Sequence, residues 1–119
     1  MYYILVIMNK IQNLGDFEQV LLLSVLRLKD DGAYGVSIRK EISTHTKRSP
    51  SPGAIYTTLD RLESKLMLKS WSGEATSERG GRAKRFYQVT GTGLNALKQT
   101  QQEYQSLMQG LDLFGEAYA

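Results

Sequence analysis

At 119 residues the chain is long enough for one domain, which buries roughly two-thirds of its unfolded surface and needs no covalent staples. It has no cysteine and a single histidine, which removes disulfides, thiolate sites and multi-histidine metal centres and suits a reducing, cytoplasmic setting. The net charge of +3 matters only where it is concentrated, and Arg79, Arg82, Lys84 and Arg85 fall within seven residues. Such a cluster favours polyanions or, more plainly, marks a solvated loop tip.

Residues 1–13 read as an apolar N-terminal extension. Its run Tyr2–Met8 is far shorter than the about 20 apolar residues that cross a bilayer. It has no basic leader and no small-residue cleavage site after it. No membrane association is expected. Left exposed, the run is an aggregation hazard, so it is expected to pack on the body of the protein or on a partner subunit. A true start at Met8 would remove its first seven residues.

Leu14-Gly15-Asp16 forms a turn and cap, and a helix is expected from about Phe17 to Leu28. Between Val20 and Leu28 only Ser24 and Arg27 are not apolar, so this helix is expected to be buried on several sides, one of them against another subunit. Asp30-Asp31-Gly32 breaks the chain. The next helix, at about Gly35 to Ser43, places Tyr34, Ile38 and Ile42 on one face and Arg39 and Lys40 outward. The polar segment from Thr44 to Pro50 reads as a turn.

Ser51-Pro52 is a strong helix start: serine caps free amides, and proline at the first helical position forfeits no hydrogen bond. Ile55, Leu59, Leu62 and Leu66 form the expected buried stripe of this third helix, leaving Tyr56, Thr57, Asp60, Arg61 and Ser64 on other faces. Met67–Trp71 and Arg85–Val89 read as two strands joined by a long loop through Gly73, Gly80 and Gly81. A final helix is expected from near Thr92. Leu97, Tyr104, Leu111 and Tyr118 recur every seven residues, with Thr100, Leu107 and Phe114 three further on, as in the seam of a coiled coil. Gly110 and Gly115 weaken this helix by about 1 kcal/mol each relative to alanine. A seam this long needs a partner, so the segment 91–119 reads as a dimerisation helix; the alternative is a helix folded back on its own domain.

An enzyme is not indicated. His45 sits in a polar turn and reads as a solvated loop histidine, and no second histidine or cysteine exists for a transition-metal site. Gly91-Thr92-Gly93 lacks the frame of a dinucleotide loop and reads as punctuation between strand and helix. Asp16/Glu18 and Asp30/Asp31 fall at helix ends, where acids cap helices or form exposed turns. No cofactor and no metal are expected.

A binding role has several independent parts. Ser49, Ser51 and Gly53 crowd the start of the third helix, where free amides and the helix dipole favour a phosphate. Tyr56 and Thr57, one turn in, are placed to meet base edges or a backbone oxygen. Arg61, a turn further, suits a phosphate or a guanine, or else an ion pair with a neighbour such as Asp60. Arg79, Arg82, Lys84 and Arg85 would hold phosphates or enter a minor groove, which fixes register more than sequence. Helix followed by a hairpin with a basic tip is how a winged helix-turn-helix meets duplex DNA. The fold class expected is therefore mainly α (α+β): a winged helix-turn-helix over 14–90, with a two-stranded hairpin wing and a long C-terminal dimerisation helix. Its competitor is a winged-helix protein-interaction module that never touches DNA.

Four stretches then converge: LGDFEQVLLLSVLRL at 14–28, GAYGVSIRKEI at 32–42, SPGAIYTTLDRLESKLML at 51–68 and ERGGRAKRFYQVTGTGLNAL at 78–97. Together they resemble the PadR family of winged-helix transcriptional regulators, in particular its shorter members with a single C-terminal helix. The resemblance implies a homodimeric protein that binds double-stranded DNA, usually a repressor. It also implies an inverted-repeat operator and release by a small-molecule effector, here of unknown identity. The recognition helix would span about 52–65 and the wing about 72–85. The dimer would be built from the first and last helices, with Phe17, Leu21, Leu97, Tyr104, Leu107, Leu111 and Phe114 at its interface. Two departures stand out. Leu66 occupies a position where relatives commonly have glycine, and Gly91 one where they often have proline. The drug-stacking tryptophans of some relatives lie on the dimerisation helix, whereas Trp71 is on the hairpin, so that mechanism does not transfer. An effector pocket would have to use residues such as Tyr104, Leu107 and Phe114, which more simply read as interface.

Overall fold

The computed structural model describes residues 13–73 and 84–115. The apolar run at the N-terminus, the loop carrying Arg79 and Arg82, and Tyr118 lie outside the described residues. The elements run α1 (Asp16–Leu28), a short 3-10 turn (Lys29–Asp31), α2 (Gly35–His45), α3 (Pro52–Ser64), β1 (Leu68–Ser72), β2 (Arg85–Val89) and α4 (Gly91–Met108). This is the α+β order expected, with four α-helices and a two-stranded antiparallel sheet among the described residues. Leu68 stands opposite Val89 and Ser72 opposite Arg85. The chain before α2 adds a further antiparallel bridge between Tyr34 and Phe86, with the Tyr87 N–H donating to the Ala33 carbonyl. The sheet is thereby tied to the start of α2.

One core gathers the inner faces of all four helices. Leu21, Leu22, Ile38, Ile42, Ile55, Leu59, Leu62 and Met67 are fully enclosed, and Leu68, Tyr87, Ala96 and Leu97 close its lower side. Burial raises the pKa of the Tyr87 hydroxyl above its usual range. α1 is less enclosed than its composition suggests. Leu23 is exposed, and Val20 and Leu26 are only half-buried. Tyr34 leaves the expected face of α2 and instead packs edge-on against Phe86, because it precedes the first helical turn. α2 continues two residues past Ser43, so His45 is helical and not in a turn. Its Nε2 lies 2.9 Å from Glu41, which also accepts from Arg27 Nε at 2.9 Å. The Arg27 hydrogen bond leads in holding the Glu41 carboxyl below the usual range, which burial partly opposes and the His45 charge reinforces. A depressed carboxyl favours the fold above its unfolded pKa, and that support is lost as pH falls through the folded value.

The buried stripe on α3 ends at Leu62, four residues before the Leu66 its spacing suggests. Leu66 is not buried: its side chain is exposed and its φ is +63°. The Leu66 N–H donates to the Glu63 carbonyl and the Met67 N–H to the Leu62 carbonyl, the pair of bonds that closes a Schellman motif. Met67, not Leu66, therefore enters the core beside Leu62. The turn is made in full with leucine in the left-handed conformation that glycine adopts without strain. Leu66→Gly is expected to raise the unfolding free energy by about 0.5–1 kcal/mol, relief of strain outweighing glycine's added chain entropy. Urea denaturation checks it; a loss of stability would mean that Leu66 contributes packing.

α4 starts on Thr90, whose hydroxyl accepts the Gly93 N–H and donates to the Leu66 carbonyl. It ends at Met108, short of the expected three-heptad seam. Gln109 turns extended and Gly110 adopts φ +82°, so Leu111 and Phe114 lie beyond the helix. From Gln101 to Phe114 every residue is exposed. The last turns of α4 thus project past the core that holds its beginning.

Candidate nucleic-acid interface

The N-terminal half of α3 is presented to solvent. Ser51 is its cap: the hydroxyl oxygen accepts the Ala54 N–H at 3.1 Å and leaves its own proton available to an acceptor. Ser49, Ser51, Pro52, Gly53, Ala54, Tyr56 and Thr57 are all exposed, as is Arg61 one turn beyond Thr57. Gly53, Thr57 and Arg61 succeed one another at intervals of four and share a face. Ile55, Thr58, Leu59 and Leu62 anchor the opposite side, so the exposed face has a fixed direction. Arg61 forms no ion pair with Asp60 or any other acid among the described residues.

The hairpin is brought against the C-terminal half of this helix. Glu63 accepts from the Ser70 hydroxyl of β1 and faces Arg85 Nη2 of β2 at 3.8 Å. Arg85 is therefore partly neutralised by α3, a partner its position in the basic cluster does not suggest. Lys84 lies with its ammonium 4.3 Å above the Tyr34 ring, a cation–π contact, while remaining solvent-exposed. Phe86 organises the base of the hairpin: it stacks on Trp71 with centroids 6.2 Å apart and meets Tyr34 edge-on at 5.7 Å. Of the basic cluster, Lys84 and Arg85 are thus placed beside α2 and α3. Arg79 and Arg82 fall outside the described residues.

Two exposed cations were less legible. Arg39 and Lys40 of α2 line a cleft that α2 shares with Pro52 and Tyr56 of α3. Arg39 is fixed there by its Nε–H, which donates to the Pro50 carbonyl at 2.7 Å. Their position on the outer face of α2 is readable from sequence, but their convergence on the same side as Tyr56 is not.

The seven residues assigned to a subunit interface do not form one surface. Leu21 and Leu97 are enclosed in the chain's own core and leave no surface for a partner. Phe17 is half-buried against that core. Tyr104, Leu107, Leu111 and Phe114 are exposed, with Phe114 entirely so. Among the described residues no group of three or more His, Asp or Glu side chains could hold a metal ion, and no helix is long and apolar enough to cross a membrane.

Comparison with known proteins places this geometry. The sequence pattern of the transcriptional regulator PadR-like family matches residues 22–99. An uncharacterized protein of Lysinibacillus sphaericus is 30% identical over 104 residues, spanning 86% of this chain and 90% of its own. A PadR family transcription regulator from Clostridium difficile R20291 superposes with a TM-score of 0.63 at 24% identity, over 82% of this chain and 97% of that one. A PadR-like transcription factor from Bacteroides fragilis gives a TM-score of 0.66 at 21% identity, over 83% and 89%. These two solved structures share the fold.

Proposed function

This chain belongs to the PadR-like family of transcriptional regulators, not to a family of enzymes, and on that premise we propose that it acts as a cytoplasmic homodimeric repressor that reads a palindromic site in double-stranded DNA. The observation that carries the reading is the exposed, serine-capped start of α3, held in a fixed direction beside the hairpin and its cations. Ser49, Ser51 and Gly53 would bind a phosphate at the helix start, and Thr57 and Arg61 would reach base edges in the major groove. Lys84 and Arg85, with Arg79 and Arg82 of the wing, would hold the neighbouring backbone. Dimerisation is supported by the far end of α4, where Tyr104, Leu107 and Met108 are exposed on turns that the core does not cover. Two copies joined there would present two α3 helices to one face of the duplex.

Selection of bound duplexes from a random library tests the reading. An inverted repeat is expected, with half-site centres about 34 Å apart, one turn of the duplex. No enriched sequence, with binding that ignores salt, would favour a protein-interaction module instead. On the selected site, Thr57→Ala is expected to alter the preferred base, by about 1–3 kcal/mol of discrimination. Lys84→Gln is expected to weaken all duplexes alike and to flatten the dependence of log K on log salt by about one unit. A gel-shift series in salt separates the two, and equal uniform losses from both variants would remove the base-reading role of Thr57.

A further inference from the structure

We infer that the cavity between the C-terminal end of α1 and the hairpin binds a mononucleotide, its base stacked on Trp71 and read by Gln88, its phosphate held at Lys29. The cavity has a volume of about 430 Å³, inside the span of about 300–1,000 Å³ that small-molecule sites occupy. Val25 and Leu26 of α1 give it an apolar lining, and Trp71, Gln88 and Lys29 bring the groups that can recognise a ligand. Strand alternation sets these hairpin residues apart from the side that meets α3. Leu68, Ser70 and Ser72 pair with Val89, Tyr87 and Arg85, and from that side Ser70 and Arg85 reach Glu63. Lys69 and Trp71 pair with Gln88 and Phe86 on the opposite side.

Each of the three groups is held in place but uncommitted. The Trp71 indole lies along Phe86, with planes 26° from parallel, yet it is 47% exposed. A steadied aromatic face of this kind is a platform for a base. Gln88 is exposed, and its amide makes no hydrogen bond among the described residues. An amide offers a donor and an acceptor side by side, the pattern that matches the edge of adenine. A plain aromatic acid has no such edge, so the amide favours a nucleobase. Lys29 is exposed and forms no ion pair among the described residues, not even with Asp31 two positions on. Lys69, opposite Gln88 in the ladder, adds a second cation to this face. A flat surface, a paired donor and acceptor, and a cation together describe a base that carries a phosphate.

Trp71 is the chain's only tryptophan, so its emission reports on the cavity directly. AMP titrated into the full chain is expected to change that emission saturably. Adenosine is expected to bind about fivefold more weakly, the share of one exposed charge. Lys29→Gln is expected to lower AMP affinity to that of adenosine and to leave adenosine affinity unchanged. Gln88→Leu is expected to erase a preference for AMP over UMP of about fivefold. Trp71→Ala, followed by calorimetry, is expected to weaken AMP about tenfold or more. Thermal melting monitors folding, and should Trp71→Ala melt early, the exposed Lys29→Gln and Gln88→Leu carry the test. No saturable response of the folded wild type to AMP overturns the inference. So does benzoate binding as tightly as AMP, which would make the cavity a general aromatic-acid site. A loss of AMP affinity in Arg61→Gln equal to that in Lys29→Gln would place the nucleotide on α3 and overturn it as well. The DNA-binding reading is tested separately, by the duplex selection.

Discussion

Lys65→Met is expected to lower the unfolding free energy by about 3–5 kcal/mol, the range for removing one partner of a buried ion pair. The Glu18 side chain is only 5% exposed and that of Lys65 23%. All three ammonium protons are used: they reach Glu18 Oε1 at 2.9 Å, Oε2 at 2.8 Å and the Asn13 carbonyl at 3.1 Å. Glu18 Oε1 also accepts the Gly15 N–H at 2.7 Å and so caps α1. Without Lys65 the carboxylate stays enclosed with a single donor, and its desolvation is uncompensated. The double variant Glu18→Leu with Lys65→Met is expected to recover much of the loss, because no charge then remains buried. A Lys65→Met effect below about 1 kcal/mol in urea denaturation would class the pair with exposed salt bridges. Lys65 directly follows α3, so this pair also fixes α3 against the start of α1.

Gly93→Ala and Gly91→Ala are expected to act in opposite directions although they lie in one helical turn. A Cβ on Gly93 would meet the Met67 carbonyl oxygen at 2.4 Å and Val89 Cγ1 at 3.0 Å. The obstacle is backbone of the Schellman turn, which cannot swing aside as a flexible side chain does. Overpacking of this kind costs about 1–3 kcal/mol, and this contact is expected at the upper end. A Cβ on Gly91 would meet nothing within 4 Å, and its backbone is already helical. Gly91→Ala is therefore expected to stabilise by about 0.4–1 kcal/mol through the unfolded state. Melting both variants checks the contrast, and equal effects would mean that the start of α4 adjusts freely against the Met67 turn.

Local chemistry made much of the fold legible. Ser51-Pro52 and the stripe Ile55, Leu59 and Leu62 place α3 almost to the residue, since cap and period agree. β2 begins and ends where its alternation says. Extrapolating a period failed twice. The stripe continued to Leu66 in letters, but the chain had already turned left-handed there. The heptads continued to Tyr118, whereas Gly110 stops α4 after Met108. Periodicity reports which residues would align if the helix persisted, and it cannot see a cap supplied from elsewhere. Long-range pairings were silent for a different reason. Glu18 looks like an ordinary helix-start acid until Lys65, 47 residues later, is folded onto it. Gly93 likewise reads as punctuation until the Met67 carbonyl is beside it. Of the proposed site, the exposed face of α3 was legible, and the contribution of α2 was not, because it arises only where two helices meet.

The chain lacks cysteine, so a single Ser64→Cys variant can carry one spin label per subunit on the exposed last residue of α3, away from the start proposed to meet phosphate. Pulsed dipolar spectroscopy on the DNA-bound protein reads the separation of the two α3 helices in the proposed dimer directly. A dimer matched to successive major grooves gives one distribution centred at roughly 34 Å. No coupling between labels, or a distribution centred well away from one duplex turn, would contradict the pairing on which this account of the protein rests.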